Sequence, residues 1–450
     1  MCQTLFFIPP DYRGWPMFGL GLLLAVWAVT SVVMLAWLVW RQGFSADTWS
    51  YVPILSLMGA IIGWVLPVLC EREGLPIRGY GVMIMLAVIA AVSLAAWRAK
   101  RRGLNPDLIF SLAFWMLVPG IVGARAFYVI EYWPEYWRWY TDPNGGLGPF
   151  LGEVINVAKG GLVVYGAFFG GVAGLLLFVR RERVPLLALA DLIAPSLVLG
   201  LAIGRIGCLM NGCCYGAVCD YPWAVTFPAG RPPEYTPPYR AQVERGQMYG
   251  FTLSGNPQAE PRVLAVRPDS PADHAGLRPG DRLQGINGDK LHSVEYAYGA
   301  LDRAFGQRQP LRIRVADRPE ITLPAIAPPE RSLPVHPTQI YSVIDGLALC
   351  LLLLLFDRFH RRDGALFALL ISIYPITRFF IESLRTDEAA VGGTGMSISQ
   401  NVSLLLFACA AALWFHILRR PPQLAFSAEN IRQRNAEETE KRKTKEGRRR

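Results

Sequence analysis

The chain has 450 residues, 52% of them hydrophobic and 18% charged, a balance too apolar for a protein made only of soluble domains. Its net charge of +10 is local: residues 419–450 carry 11 basic and 5 acidic side chains, so six of the ten excess charges sit in one terminal run. A run ending KRKTKEGRRR fits a solvated tail beside anionic lipid, at about 1 kcal/mol per charge, and not a nucleic-acid-binding surface.

The first apolar run, Met17–Trp40, is longer than the roughly 7–15 residues of a signal-peptide core and lacks a small-residue cleavage site, so it is expected to remain in the chain. Further runs at or near the roughly 17–25 residues that cross a bilayer are 52–69, 81–97, 108–130, 161–179, 187–210, 343–356, 365–381 and 399–418, of which 343–356 is the shortest. Basic clusters follow alternate runs: Arg41; Arg98, Lys100, Arg101 and Arg102; Arg180, Arg181 and Arg183; Arg358, Arg361 and Arg362; Arg419 and Arg420. Lysine and arginine gather on the cytoplasmic side, which predicts an external N-terminus and an internal C-terminal tail. The same alternation exports the aromatic loop EYWPEYWRWY after Ile130, the stretch from about Asn211 to Ser342, and residues 383–400.

The exported stretch contains a soluble module between Pro257 and Pro328, bounded by proline-rich joints. It reads as short strands, a Ser-Pro-Ala helix start, a turn at Gly280 and Asp281, a second turn at Asn287 and Gly288, a helix over VEYAYGALDRAF and a strand over LRIRVAD. These features resemble a PDZ domain, which implies an envelope protein or a peptide C-terminus as partner. The segment Tyr249–Leu253, YGFTL, is either a carboxylate-binding loop or an ordinary first strand. The five histidines form no His-Glu-x-x-His pair and no serine stands in Gly-x-Ser-x-Gly, so neither protease chemistry is indicated.

Polar side chains in or beside apolar runs cost about 2.5–3.5 kcal/mol at mid-membrane for arginine and so point to function. Arg205 sits in GLAIGRIGCLMNGCCYG among Gly200, Gly204 and Gly207; the alternative to a functional role is that it snorkels outward or pairs with Asp191 or Glu382. His336, Gln339 and Tyr341 lie in LPVHPTQIYSVIDG, where the chain returns to the membrane and where a histidine can exchange a proton near neutral pH; a capping role is equally compatible. Tyr374, Arg378, Glu382 and Arg385 are spaced four, four and three apart, which predicts one polar stripe on a helix with an Arg378–Glu382 pair.

With RGYGVMI, GARAFYVIEYW, GGLVVYGAFFGG, ADLIAP, GRIGCLMNG, HPTQIYS and YPITRFFIESLR in this order, the chain from about Arg78 to Leu418 resembles prolipoprotein diacylglyceryl transferases. The resemblance implies transfer of sn-1,2-diacylglyceryl from phosphatidylglycerol to the lipobox cysteine thiol in a prolipoprotein signal peptide, forming a thioether and releasing glycerol phosphate. It implies that Arg205 holds the lipid phosphate and Arg378 the leaving phosphate, and that Tyr374, Tyr80 and Tyr165 line the cavity with Asn211 and Gln339 contacting substrate; His336, ahead of Glu382, is the expected base in place of the histidine that this chain lacks at position 165. No cofactor or metal is expected, and the location implied is the bacterial inner membrane.

Three positions depart from the family pattern: Tyr165 replaces a histidine that could act as base, and Cys208 and Cys213 replace an asparagine and a glutamate. Tyrosine is too weak an acid to serve as an anionic base. Among the four cysteines of CLMNGCCYGAVC, a Cys214–Cys219 or Cys213–Cys219 disulfide is the leading expectation and a zinc site the second. These departures also keep open a non-catalytic lipid-binding relative that recruits envelope proteins; a transporter is disfavoured because no inverted repeat is seen.

The expected fold is an all-α polytopic membrane helix bundle of seven to nine helices with a small inserted α+β PDZ-like periplasmic domain. Its parts are two extra spans in 1–77, the transferase domain in 78–256 and 329–418, the inserted domain in 257–328, and the tail 419–450.

Overall fold

The computed structural model describes residues 3–43, 46–71, 73–142, 146–156, 160–231, 234–254, 258–385 and 396–426; Cys2, Pro257 and most of the basic tail fall outside them. Among the described residues, nine helices are long and apolar enough to cross a membrane: Leu22–Arg41, Tyr51–Leu69, Gly79–Arg101, Asp107–Glu131, Val164–Glu182, Leu186–Asn211, Thr338–Phe356, Ala365–Ser383 and Ile398–Leu418. Every expected span is therefore present. The short 343–356 run extends back to Thr338, because Thr338 and Gln339 turn their polar groups onto neighbouring carbonyls and so enter the helix buried.

The chain divides into two compact units. One comprises residues 4–82, 89–193 and 424–450. In it, Thr4–Ile8 pairs antiparallel with Leu75–Arg78, Ile8 opposite Leu75 and Phe7 opposite Pro76, so the paired strands are separated by two spans, as the alternation of sides requires. Glycines draw the fourth and fifth spans together. A Cβ added at Gly166, Gly170 or Gly174 would strike the carbonyl oxygens of Gly123, Pro119 and Trp115 respectively. Pro119 lacks an N–H, which leaves the Trp115 carbonyl without its helical donor at the point where Gly174 packs.

Two arginines of this unit serve structure. Arg98, expected in a solvated basic cluster, is buried and donates to the carbonyls of Asp191, at 2.9 Å, and Leu192. Arg125 donates to the carbonyls of Glu153, Val154, Gly160 and Gly161, tying down the polypeptide between the fourth and fifth spans. The aromatic segment expected as a loop after Ile130 is instead a helix, Trp133–Thr141, with Trp133 stacked on Trp137 and Tyr136 buried. Proline in its first turn supplies a helix start that the aromatic composition hides.

The other unit comprises residues 1–3, 83–88 and 194–423. The seventh span meets the sixth where Gly346 packs on Ala202, and the Trp414 indole donates to Ser372 Oγ at 3.0 Å between the ninth and eighth. A capping box between Ser397 and Gln400 starts the ninth span.

The inserted module has a four-stranded antiparallel sheet with spatial order Asp289–Lys290, Leu283–Ile286, Leu311–Val315, Ile321–Leu323. Helix Val294–Gly306 buries Leu301 and Phe305 in the same core as Ile286, Leu311, Ile313 and Leu323. Ser270 caps the short helix Pro271–His274, and Asn287 and Gly288 both take positive φ at the expected two-residue turn. The core reaches back past Pro257 to Tyr239, Val243, Tyr249, Phe251 and Leu253. Phe251–Leu253 is a strand pairing with Val263–Val266, and the amides of Gly250 and Phe251 are already bonded to the carbonyls of Gln247 and Gly246. Tyr249–Leu253 is thus the first strand and its preceding turn, with no free amide cradle for a carboxylate at those two residues.

Candidate active site

The expected polar stripe is present. Arg378 and Arg385 approach Glu382 Oε2 at 2.7 and 3.0 Å, the carboxylate and the Arg385 side chain being buried and the Arg378 side chain nearly so. Spacings of four and three make this bifurcated pairing, in which one carboxylate oxygen faces two guanidiniums. Arg378 Nη2 also donates to Ser399 Oγ at 3.2 Å, a partner from the ninth span without any signal in the sequence. Its Nη1 is buried with no hydrogen-bond partner among the described residues. Arg205, from the sixth span, lies within electrostatic range of Tyr374, Arg385, Cys208 and Cys214, and Arg378 within range of Arg205 and Tyr374. Two guanidiniums thus hold one buried carboxylate, and a third, that of Arg205, lies within electrostatic range of both.

The end of the sixth span closes this site. Gly212, at φ +81°, ends the helix by returning its own amide and that of Cys213 to the Cys208 carbonyl at 2.9 and 3.1 Å. Cys214 follows at φ +59°, a left-handed conformation uncommon for a non-glycine residue, and it is held there. Thr338 Oγ1 donates to the Cys214 carbonyl at 2.5 Å and the fully buried Gln339 donates to the Cys213 carbonyl at 2.7 Å. Gly216 and Ala217 donate to the carbonyls of His336 and Leu384. A Cβ at Gly216 would come within 2.6 Å of the His336 Cβ, so this glycine is required by close approach.

As a result the Sγ atoms of Cys208, Cys213 and Cys214 all lie within 4.8 Å of one another, with the Asn211 side chain bonded to Cys213. Hydrogen bonds from the thiols of Cys208 and Cys213, together with Arg205 and Arg385, push the Cys214 thiol well below the usual thiol range. The expected disulfides to Cys219 are not formed: Cys208, Cys213, Cys214 and Cys219 are all free thiols, and the chain reversal at Gly212 gathers the first three without Cys219.

His336 faces Tyr341, with Nδ1 3.3 Å from the hydroxyl, which also accepts from the Trp223 indole at 2.7 Å. The hydroxyl can accept Nδ1–H on its second lone pair or donate its own O–H to Nδ1; in the first tautomer Nε2 is the basic nitrogen. Tyr221 stacks on Trp223 at 5.0 Å and lies beside the imidazole. Next to Arg378 an apolar crevice is lined by Pro375, Ile376, Phe379, Phe380, Leu404 and Phe407. Tyr80 and Tyr165 belong to the other unit, each partly exposed in the first turn of its helix.

Residues 67–416 match the family described as prolipoprotein diacylglyceryl transferase. The chain belongs to this family. A phosphatidylglycerol–prolipoprotein diacylglyceryl transferase of Rhodopirellula baltica is 34% identical across 92% of the chain and 89% of its own length. One from Trichormus variabilis is 29% identical across 79% and 91%, and one from Clostridium tetani is 37% identical across 36% and 60%. Family membership and the nine apolar helices make the chain a multi-pass membrane protein.

Proposed function

We propose that the chain is the enzyme that transfers sn-1,2-diacylglyceryl from phosphatidylglycerol to the lipobox cysteine thiol of prolipoproteins. The observation that carries this reading is the buried, unpartnered Nη1 of Arg378 beside Arg205 and Arg385. A buried charged donor left unsatisfied costs at least about 1–3 kcal/mol, so it is poised for an anion brought by the substrate. Cleaving the glyceryl carbon–oxygen bond leaves a phosphate whose negative charge rises in the transition state, and forked guanidinium donors strengthen as it does.

In this reading Arg205 and Arg378 bind the phosphate, Tyr374 lines its pocket, and Glu382 holds Arg378 and Arg385 in place. The apolar crevice beside Arg378 takes an acyl chain. His336 Nε2 receives the proton of the incoming thiol, and the exposed Tyr221 and Trp223 border the thiol's approach. The enzyme would lie in the bacterial inner membrane with its N-terminus and the module outside and its C-terminus in the cytoplasm, an orientation that the basic clusters support.

We read the module as PDZ-like from its turn chemistry and element order, serving extended segments of exported proteins. Because its core begins at Tyr239, the excision that tests this runs from Tyr235 to Ile326. Transfer to a short lipobox peptide should survive and turnover of full-length precursors should fall; loss of both would place the module within the active site.

The transferase reading is tested by complementing a cell depleted of its own transferase and measuring diacylglyceryl thioether on a reporter lipoprotein by mass spectrometry. Wild-type chain should restore it and Arg205→Ala should not. Failure of the wild type despite normal insertion would leave a non-catalytic lipid-binding protein.

A further inference from the structure

We infer that Cys208, Cys213 and Cys214 form a three-thiolate zinc site whose open fourth position receives the substrate's own thiol. The inference rests on the transferase reading for the identity of that thiol, and on geometry for the site. The three Sγ atoms lie within 4.8 Å of one another, and a tetrahedral zinc with bonds of about 2.3 Å needs sulfurs about 3.8 Å apart, within reach of small side-chain rotations. Three protein ligands and a fourth exchangeable position are the arrangement of catalytic rather than structural zinc.

The scaffold around these thiols is built ahead of any ligand. Gly212 reverses the chain, Cys214 is held at positive φ, and Thr338 and Gln339 clamp the carbonyls of Cys214 and Cys213. Arg205 and Arg385 add positive charge beside the sulfurs, so three thiolates and one Zn²⁺, net −1, are neutralised in place. Neither a glutamate nor a fourth cysteine is needed to complete the set. Guanidiniums that also face a phosphate put the metal-bound thiolate next to the carbon to be alkylated.

The chemistry balances without any oxidant or reductant. The substrate thiol displaces water from zinc and releases one proton, for which His336 is the assigned acceptor. The zinc-bound thiolate forms the new S–C bond while the C–O bond breaks and its electron pair leaves on glycerol phosphate. The neutral thioether is a weaker ligand than the thiolate, and water replaces it. Metal coordination thus supplies the thiolate that a glycine-rich helix carrying Tyr165 cannot generate.

The test uses the full-length enzyme in detergent, prepared anaerobically with reductant. Elemental analysis should find about one zinc per chain, lost in Cys208→Ser, Cys213→Ser and Cys214→Ser. In case those variants fold poorly, cobalt is exchanged into the wild type. Its thiolate charge-transfer absorption should strengthen when a lipobox peptide is added and stay unchanged with the Cys→Ser peptide. Since a free thiol with pKa about 8.5 is only about 3% ionised at pH 7, chelation of zinc should slow transfer about tenfold or more, reversed by adding zinc.

Active enzyme without metal, a disulfide among the three cysteines in the active form, or a cobalt spectrum blind to the peptide thiol would overturn the inference. A zinc site that responds to the peptide thiol, in a protein that transfers no diacylglyceryl group, would support the site and sink the transferase reading instead.

Discussion

Arg378→Lys isolates the contribution of the guanidinium fork from that of its charge. In the wild type one nitrogen, Nη2, serves both Glu382 at 2.7 Å and Ser399 at 3.2 Å, while Nη1 is buried and unpartnered among the described residues. A lysine can keep the ion pair with Glu382, but its donors radiate from a single atom, so the contact to be lost is the one from Nη1 to substrate phosphate. A hydrogen bond between charged groups is worth about 1.5–3 kcal/mol, which sets a decrease of roughly 10- to 150-fold in kcat/KM. Stability should change by less than about 1 kcal/mol, because Glu382 stays neutralised by Arg385 and the lysine. Arg378→Ala removes the charge as well, and breaking a buried pair costs about 3–5 kcal/mol, so that variant should lose both transfer and thermal stability. The assay is transfer of labelled diacylglyceryl from phosphatidylglycerol vesicles to a lipobox peptide, with thermal unfolding in detergent measured on the same preparations. Kinetics for Arg378→Lys within about twofold of wild type would refute the assignment of Nη1 to the phosphate.

Three other outcomes follow from particular contacts. His336→Gln should lower transfer at neutral pH by about 10²–10⁴, with partial recovery as pH rises and the peptide thiol ionises unaided; an unchanged pH–rate profile would reduce His336 to ordering its loop. Gly170→Val, whose side chain would press on the Pro119 carbonyl, should destabilise the paired fourth and fifth spans by about 1–3 kcal/mol, read as a lower yield of inserted protein. Burial pushes the Tyr249 phenol up to about 12, above its unfolded value near 10, so its stabilising preference for the neutral form is complete below pH 10 and lost as pH rises through 12. Proteolytic protection of the module should therefore fall across that window. Tyr249→Phe, which also removes a buried hydroxyl without a partner among the described residues, should blunt the fall and gain up to about 1 kcal/mol at neutral pH.

The nine spans and the local elements of the module were legible in the sequence because their signals are short-range. Apolar length sets a membrane helix, Asn287–Gly288 sets a tight turn, and four-residue spacing sets the Arg378–Glu382 pair. Composition misled where it outweighed a start signal, as at the aromatic helix Trp133–Thr141. What tertiary structure alone decided depends on residues distant in sequence meeting in space. Arg98 has the same sequence signature as a solvated loop arginine, yet the carbonyls of Asp191 and Leu192, more than ninety positions away, bury it. Ser399 and Trp223 carry no motif and acquire roles only beside Arg378 and Tyr341. The cysteines show the division most sharply: their presence near the end of the sixth span is written in CLMNGCCYGAVC, and so is the glycine that can reverse the chain. Which three of the four converge is settled by the clamp of Thr338 and Gln339 on the loop's carbonyls, a contact across more than 120 residues that no local periodicity encodes.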